Sequence, residues 1–205
     1  MTGRHVVLAT RNSKKLAELR RILAPVIDVE VLGLDDLPPY AEAPETGATF
    51  AENALAKARD AAVATGLPAI ADDSGLAVDA LNGMPGVLSA RWSGRHGDDT
   101  ANLELLLGQL EDVPDERRGA AFICAAALAL PDGLERVLEA EMRGRIAREP
   151  RGAGGFGYDP IFIPEGHSST TAEMTPQDKD AISHRGKAMR GLVPIVTDTL
   201  NTNMP

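Results

Sequence analysis

The 205 residues are 43% hydrophobic and 25% charged, the balance of a folded globular chain rather than a disordered one. The formal charge of −9 argues against a nucleic-acid polymer as partner, because such binding needs a basic surface, but leaves room for a small phosphorylated ligand in a local basic pocket. Cys124, the only cysteine, lies within the apolar run Ala121–Leu128, which excludes an intrachain disulfide and a cysteine-based metal site. No apolar run approaches the roughly 18 residues of a membrane span. Met1-Thr2-Gly3-Arg4-His5 has neither the charged nor the apolar region of a signal peptide. The expectation is one cytoplasmic domain over 1–205, with no membrane partner.

Val6–Thr10 is the first strand, and Leu16, Leu19, Ile22 and Leu23 give the helical spacing that follows it. Between them lies Thr10-Arg11-Asn12-Ser13-Lys14-Lys15. Asn12 or Ser13 can cap the helix, whose free backbone N–H groups then form an anion site. Three cations there oppose the helix macrodipole, a conflict that a bound anion would remove. A solvated basic first turn fits the same residues equally well, and the spacing is not that of a P-loop. Val29–Leu32 is a short strand, and Leu37–Pro44 is a proline-rich connection.

Thr49 is a suitable N-cap, with Glu52 at the third helical position to complete a capping box, for an alanine-rich helix from Phe50 to about Thr65 closed by Gly66. Thr49, Asn53 and Lys57 share one face of it, a stripe that more often is simply the wet side of a helix. The short link onward sets this helix beside Ala69-Ile70-Ala71-Asp72-Asp73-Ser74-Gly75, which makes Lys57 a candidate for the same pocket. That stretch is an apolar strand expected to end at two carboxylates, a hydroxyl and a glycine. Strand ends in α/β proteins open into ligand crevices. Successive strand residues face opposite ways, so Asp72 and Asp73 take different roles, one suited to a divalent cation such as Mg²⁺ and the other to orienting a neighbour. Asp, Ser and Gly also suit a solvated turn.

Leu76–Leu81 alternates weakly, Asn82–Val87 is a turn, and spacing gives Arg91 and Trp92 no role. Asp98–Leu110 has helical periodicity, Arg118–Leu130 is the longest apolar run and a central strand, and Pro131-Asp132-Gly133 turns it back into Leu134–Ile146. The chain has one tryptophan, two tyrosines and four phenylalanines, yet Phe156, Tyr158 and Phe162 crowd together after Gly152-Ala153-Gly154-Gly155. Glycines admit close approach of backbone to a ligand and the rings offer a stacking face for a base, although rings beside a loop also pack into cores. The last helix is expected to begin at Thr175-Pro176-Gln177-Asp178, with Lys179, Ser183, His184 and Arg185 following before Gly186. His184 stands among polar groups suited to binding, but a lone helical histidine is more often structural.

Leu8–Lys15, Glu45–Ala54, Ala71–Leu76, Gly155–Pro160 and Ile182–Gly186 together resemble the inosine/xanthosine triphosphate pyrophosphatase family, five motifs in family order over nearly the whole chain. The resemblance implies an α/β fold with an elongated mixed sheet flanked by helices, a nucleotide cleft between two lobes, Mg²⁺ dependence, a homodimer, and hydrolysis of non-standard purine nucleoside triphosphates to monophosphate and pyrophosphate. Carried over by position, it makes Thr10, Arg11, Asn12, Ser13, Lys14 and Lys15 the triphosphate cradle. Lys57 joins Lys15 on phosphate, Glu45 and Asp73 serve the metal, and Asp73 is also the proton acceptor, with Asp72 beside it and Ser74 on substrate. Phe156, Gly157, Tyr158, Asp159, Lys179, His184 and Arg185 resemble the base-recognition residues. Arg11 departs from the pattern, since many members have glycine there. A nucleotide-binding regulator would share the cradle without needing the acidic groups, and a related pyrophosphatase would share the reaction with another base preference.

Overall fold

A computed structural model describes residues 5–23, 25, 29–41 and 44–203, with side chains to residue 199. Residues 1–4, read above for a leader, and Glu42 and Ala43 of the proline-rich connection lie outside the described residues. Six strands form one sheet: β1 (His5–Leu8), β2 (Glu30–Gly33), β3 (Ala69–Val78), β4 (Gly119–Ala129), β5 (Glu135–Ile146) and β6 (Phe162–Pro164), in the order β2-β1-β3-β4-β5-β6. β1 runs parallel to both β2 and β3, pairing Val7 with Leu32 and with Ala69, whereas β6 is antiparallel to β5. The helices are α1 (Ser13–Leu23), α2 (Phe50–Thr65), α3 (Asp99–Gln109), α4 (Pro176–Ile182) and α5 (His184–Asn203). None of the described helices is long and apolar enough to cross a membrane.

The chain divides into two units, one made of 1–73, 124–140 and 185–205 and the other of 74–123 and 141–184, so neither is continuous in sequence. The core of the first follows from strand parity. Val6, Leu8, Ile70, Cys124, Ala126 and Leu128, all even-numbered, are buried with Leu19, Ile22 and Leu23 of α1 and Ala188, Met189, Leu192 and Val196 of α5. The odd positions Ala69, Ala71 and Asp73 point to the opposite face, which is the face that α2 reaches. In the second unit Leu76, Val78, Phe122, Met142, Ile146 and Phe162 gather Leu103, Leu106 and Leu110 of α3 with Tyr158 and Ile161. Trp92 packs against this core and donates its indole N–H to Gln109 at 2.8 Å. Arg118, buried in the same unit, donates to the carbonyls of Leu110, Ile146 and Ala147 and thereby ties the end of α3 to the end of β5.

Two expectations are corrected. β3 does not stop at the aspartates but runs on to Val78, because Leu76 and Val78 alternate into the second core and the Asp72 and Asp73 carboxylates find cations without leaving the sheet. The last helix is two helices. α4 ends at Ile182, Ser183 is extended with φ −64° and ψ 151°, and α5 starts afresh at His184 and continues well beyond Gly186. Gly186, Gly191 and Pro194 lower the intrinsic helicity of α5, so its stability comes from burying Ala188, Met189, Leu192 and Val196. A Cβ at Gly191 would lie 2.9 Å from Leu138 Cδ1, so the glycine admits α5 close to β5.

α2 begins and ends as its sequence dictates. Thr49 accepts from Glu52 N at 3.1 Å, and Gly66 closes the helix with φ +68°. Glu52 reaches one residue further back than an ordinary capping box and accepts from Ala48 N at 2.6 Å.

Candidate active site

The polar groups of the first unit form two adjoining networks, one on each face of β3. On the α1 and α5 side, Asn12 caps α1, its Oδ1 accepting from Lys14 N at 3.0 Å and Lys15 N at 3.1 Å, while Thr10 Oγ1 accepts from Asn12 N. Of the two suggested caps it is Asn12, not Ser13, that closes the turn. This fixes Lys15 at the first turn, where its ammonium meets Asp72 Oδ2 at 3.2 Å. The same oxygen accepts from Arg185 Nε at 3.1 Å, and Arg185 Nη1 donates to Glu18 Oε2 at 2.7 Å. Arg11, Asn12, Ser13 and Lys14 are exposed at the mouth of the same turn, and Thr10 and Lys15 are half-buried.

Burial alone would raise the Asp72 carboxyl, but Lys15, Arg185 and Lys57 outweigh it and hold the group far below the ordinary carboxylate range. Burial likewise opposes the charge on Arg185, and Asp72 and Glu18 reverse that effect. Both groups stay ionised. Arg185 is therefore not a loosely held surface cation. At 2% exposure, it donates through Nε and Nη1 to carboxylates on either side of it.

The second network lies on the α2 face. Lys57 Nζ donates to Asp73 Oδ1 at 3.1 Å and to Glu45 Oε1 at 3.0 Å, and Asn53 Nδ2 donates to Asp73 Oδ2 at 3.1 Å. The helical stripe is thus no wet face: two of its three members converge on the strand carboxylate and Thr49 caps the helix. Asn53 Oδ1 also accepts from Gly47 N at 2.8 Å, with no room for a side chain, since a Cβ at Gly47 would lie 2.6 Å from that oxygen. Burial pushes Lys57 down, but Asp73, Asp72 and Glu45 together carry it above its usual value, so it remains an ammonium.

Asp73 and Glu45 already share one cation, the Lys57 ammonium, and offer hard oxygen donors to another. Among the described residues no group of three or more histidine, cysteine, aspartate or glutamate side chains is arranged to hold a metal. Two carboxylates are the protein share that a hard divalent cation takes where water and phosphate oxygens complete its shell.

In the second unit the glycine loop closes on Asp159. Its Oδ2 accepts from Phe156 N at 2.8 Å and from Lys179 Nζ at 2.7 Å, and its Oδ1 accepts from Thr171 Oγ1 at 2.8 Å. The Lys179 ammonium lies 5.2 Å from the Phe156 ring centre, within cation–π range. Gly155, with φ +70°, lies against the Asp159 carboxylate so closely that any Cβ would collide with it. Tyr158 and Phe162 are buried, and the Tyr158 hydroxyl donates to Ser89 O at 2.9 Å, so these two rings belong to the core and only Phe156 is half-exposed. This corrects the picture of three rings offered to a ligand. Gly157 N donates to Asp99 Oδ2 at 3.0 Å. Ser74 is half-buried on β3. His184 is buried and stacks on Phe122 with centroids 4.9 Å apart and planes 10° from parallel.

Three participants escaped the sequence reading. Asn53 carried a signal in the stripe it shares with Lys57. Glu18 is a charge within the buried face of α1, one turn from Lys15, and its importance appears only when α5 returns Arg185 to it. Asp99 has no sequence signal beyond its place in the helical stretch Asp98–Leu110.

A basic helix turn and a lysine shared by two carboxylates in the first unit, and a glycine loop with a half-exposed aromatic ring in the second, are groups of the kind found in proteins that bind and hydrolyse phosphorylated ligands. The model of the Ham1 family matches residues 6–195, and the chain belongs to that family. A dITP/XTP pyrophosphatase of Nocardia farcinica is 68% identical over 95% of both chains, and one of Streptomyces coelicolor is 60% identical over 95% of this chain and 98% of its own. Among solved structures, the nucleoside-triphosphatase / dITP/XTP pyrophosphatase of Mycobacterium abscessus is 62% identical with a TM-score of 0.76, covering 93% of this chain and 99% of its own. A HAM1 protein of Coxiella burnetii gives a TM-score of 0.84 at 44% identity, covering 95% of this chain and 99% of its own.

Proposed function

We propose that this chain hydrolyses non-standard purine nucleoside triphosphates, such as dITP, ITP and XTP, to the monophosphate and pyrophosphate, and so removes them from the nucleotide pool. Its near-full-length identity to proteins named for that activity supports the substrate class. The observation that carries the chemistry is the Lys57 ammonium shared between Asp73 and Glu45. Neither unit is continuous in sequence, which supports treating 1–205 as one functional domain.

Asp73 orients the attacking water and accepts its proton, and Asn53 fixes the carboxylate so that one oxygen keeps a constant aim. Lys57 and Lys15 neutralise the phosphates and the leaving pyrophosphate. The Thr10–Lys15 turn adds backbone N–H groups and the cations Arg11 and Lys14. Asp72 holds Lys15 in place, with Arg185 as its second counter-ion and Glu18 behind it. Ser74 contacts substrate. Phe156 stacks on the base, Lys179 reads its edge, and Gly157, Tyr158, Asp159 and His184 shape that end of the ligand. Mg²⁺ held by Asp73 and Glu45 supplies charge neutralisation on the phosphates. Magnesium as the metal, a homodimer and a cytoplasmic location rest on the family resemblance.

The decisive experiment incubates the purified protein with a panel of nucleoside triphosphates in ¹⁸O-labelled water, with and without Mg²⁺, and follows products by phosphorus NMR. Monophosphate carrying the label, together with unlabelled pyrophosphate, formed faster from inosine and xanthosine triphosphates than from ATP or GTP, is the expected result. Tight nucleotide binding without turnover under any divalent metal would establish a regulator instead. Fast turnover with another base preference would establish a related pyrophosphatase.

A further inference from the structure

The loop that carries Phe156 is rich in glycine and is held at a few points, one of them Gly154 N donating to Ala172 O at 3.0 Å. Gly152, Gly154, Gly155 and Gly157 fall within six residues, three of them at positive φ, and residues 152–155 are exposed. Such a segment loses much conformational entropy when fixed, so whatever fixes it governs where the ring stands. Asp159 supplies a local contact, three residues from Phe156. The peptide on the other side of the ring is held from far away: Gly157 N donates at 3.0 Å to Asp99, 58 residues earlier on the first turn of α3.

Asp99 does not cap that helix. Asp98 does, with Oδ1 accepting from Ala101 N. The Asp99 carboxylate, on the same first turn, is half-buried and accepts from the loop. The two peptide N–H groups that flank the Phe156 ring each end on a carboxylate, and these carboxylates come from different elements. With both in place the ring has a fixed position. Without the Asp99 contact, the Phe156–Gly157 peptide loses its hydrogen bond to α3.

We infer that Asp99 is a positioning residue for recognition of the base: it holds the Phe156–Gly157 segment in the conformation that presents the Phe156 ring to a purine. This inference rests on the reading of Phe156 as the stacking residue. The test compares Asp99→Ala and Asp99→Asn with wild type, measuring by calorimetry the affinity for inosine monophosphate and for ribose 5-phosphate, which lacks the base. Wild type binds the nucleotide more tightly than the sugar phosphate. Asp99→Ala loses about tenfold on inosine monophosphate, the scale of one charge-assisted hydrogen bond, and keeps its affinity for ribose 5-phosphate. Asp99→Asn retains an acceptor without the charge and falls between. Arg148→Ala removes surface contacts to Glu111, Val113 and Asp115, serves as a control for lost stability, and leaves both affinities unchanged.

An Asp99→Ala protein that preserves the margin between the two ligands, or loses both affinities equally, overturns the inference while leaving the proposed function intact. A wild type that binds both ligands alike refutes the reading of Phe156 and this inference with it. Should the alanine variant fail to fold, Asp99→Asn decides alone, since unchanged affinity for inosine monophosphate in that variant also overturns the inference.

Discussion

Replacing Arg185 by alanine tests whether it is an anchor or a base reader. Its side chain is 2% exposed and lies between Asp72, 0% exposed, and Glu18, 5% exposed. Removing it leaves two buried carboxylates without the guanidinium that joins them, although Lys15 and Lys57 still act on Asp72. Breaking a buried ion pair in this way costs about 3–5 kcal/mol, a large part of a typical domain's total stability. With a urea m-value of about 2 kcal/mol/M, the unfolding midpoint should fall by roughly 1.5–2.5 M at neutral pH. Acid should narrow the gap. The folded-state carboxyl of Asp72 is depressed, so its contribution is fully present above the ordinary aspartate value of about 4 and is lost as pH falls below it. The variant has less of that contribution to lose, so wild type should lose more stability than Arg185→Ala between about pH 5 and pH 3. A midpoint shift corresponding to less than about 1 kcal/mol, or a gap that widens in acid, would refute the anchoring role. An undiminished midpoint combined with lost preference between inosine triphosphate and ATP would return Arg185 to the base-reading set.

Asp73→Asn should abolish turnover while the protein stays folded and still binds nucleotide, as judged by circular dichroism and calorimetry; near-normal turnover would remove Asp73 from the mechanism. Lys15→Ala and Lys57→Ala should each lower kcat/KM by about one to two decades, the scale of a lost charge-assisted contact of roughly 1.5–3 kcal/mol. Unchanged kinetics in both would mean that the phosphates are handled elsewhere. Sedimentation equilibrium should give twice the 21.6 kDa chain mass, and a single-chain mass would refute the homodimer.

Much of the fold was legible because its signals are local. Strand β1, helix α2 with its Thr49 cap and Gly66 stop, α3, and the β4 and β5 hairpin each carry their own periodicity and punctuation. Where reading failed, tertiary contact overrode local preference. The boundary at Ser183 and the continuation of α5 past Gly186 depend on a core that the α5 sequence does not announce. β3 continues because Leu76 and Val78 have a second core to enter. The carboxylates and lysines stood out as residue types at an apolar strand and a helix stripe, but their partners did not. Arg185 and Glu18 are separated by 167 residues and Tyr158 and Ser89 by 69, and no spacing rule links such pairs.

The adjacency of Asp72 and Asp73 has a physical consequence of its own. Alternation along β3 sends the two carboxylates to opposite faces, so consecutive residues of identical chemistry meet different counter-ions. Asp72 faces α1 and α5, where Lys15 and Arg185 share its Oδ2, and exchanging either for a solvent ion would strand a buried charge. Asp73 faces α2, and its Lys57 partner, at 18% side-chain exposure and also bound to Glu45, keeps an alternative whenever a phosphate or another cation arrives. Asp72 is therefore the fixed electrostatic anchor, and Asp73 the carboxylate that the proposed reaction assigns to water and metal. Exchanging their roles would require a one-residue slip of β3, which would also turn Ile70 out of the α1 and α5 core and carry every side chain of the strand to the other face. The packing of the sheet thus fixes which aspartate meets Lys57 and which meets Lys15 and Arg185.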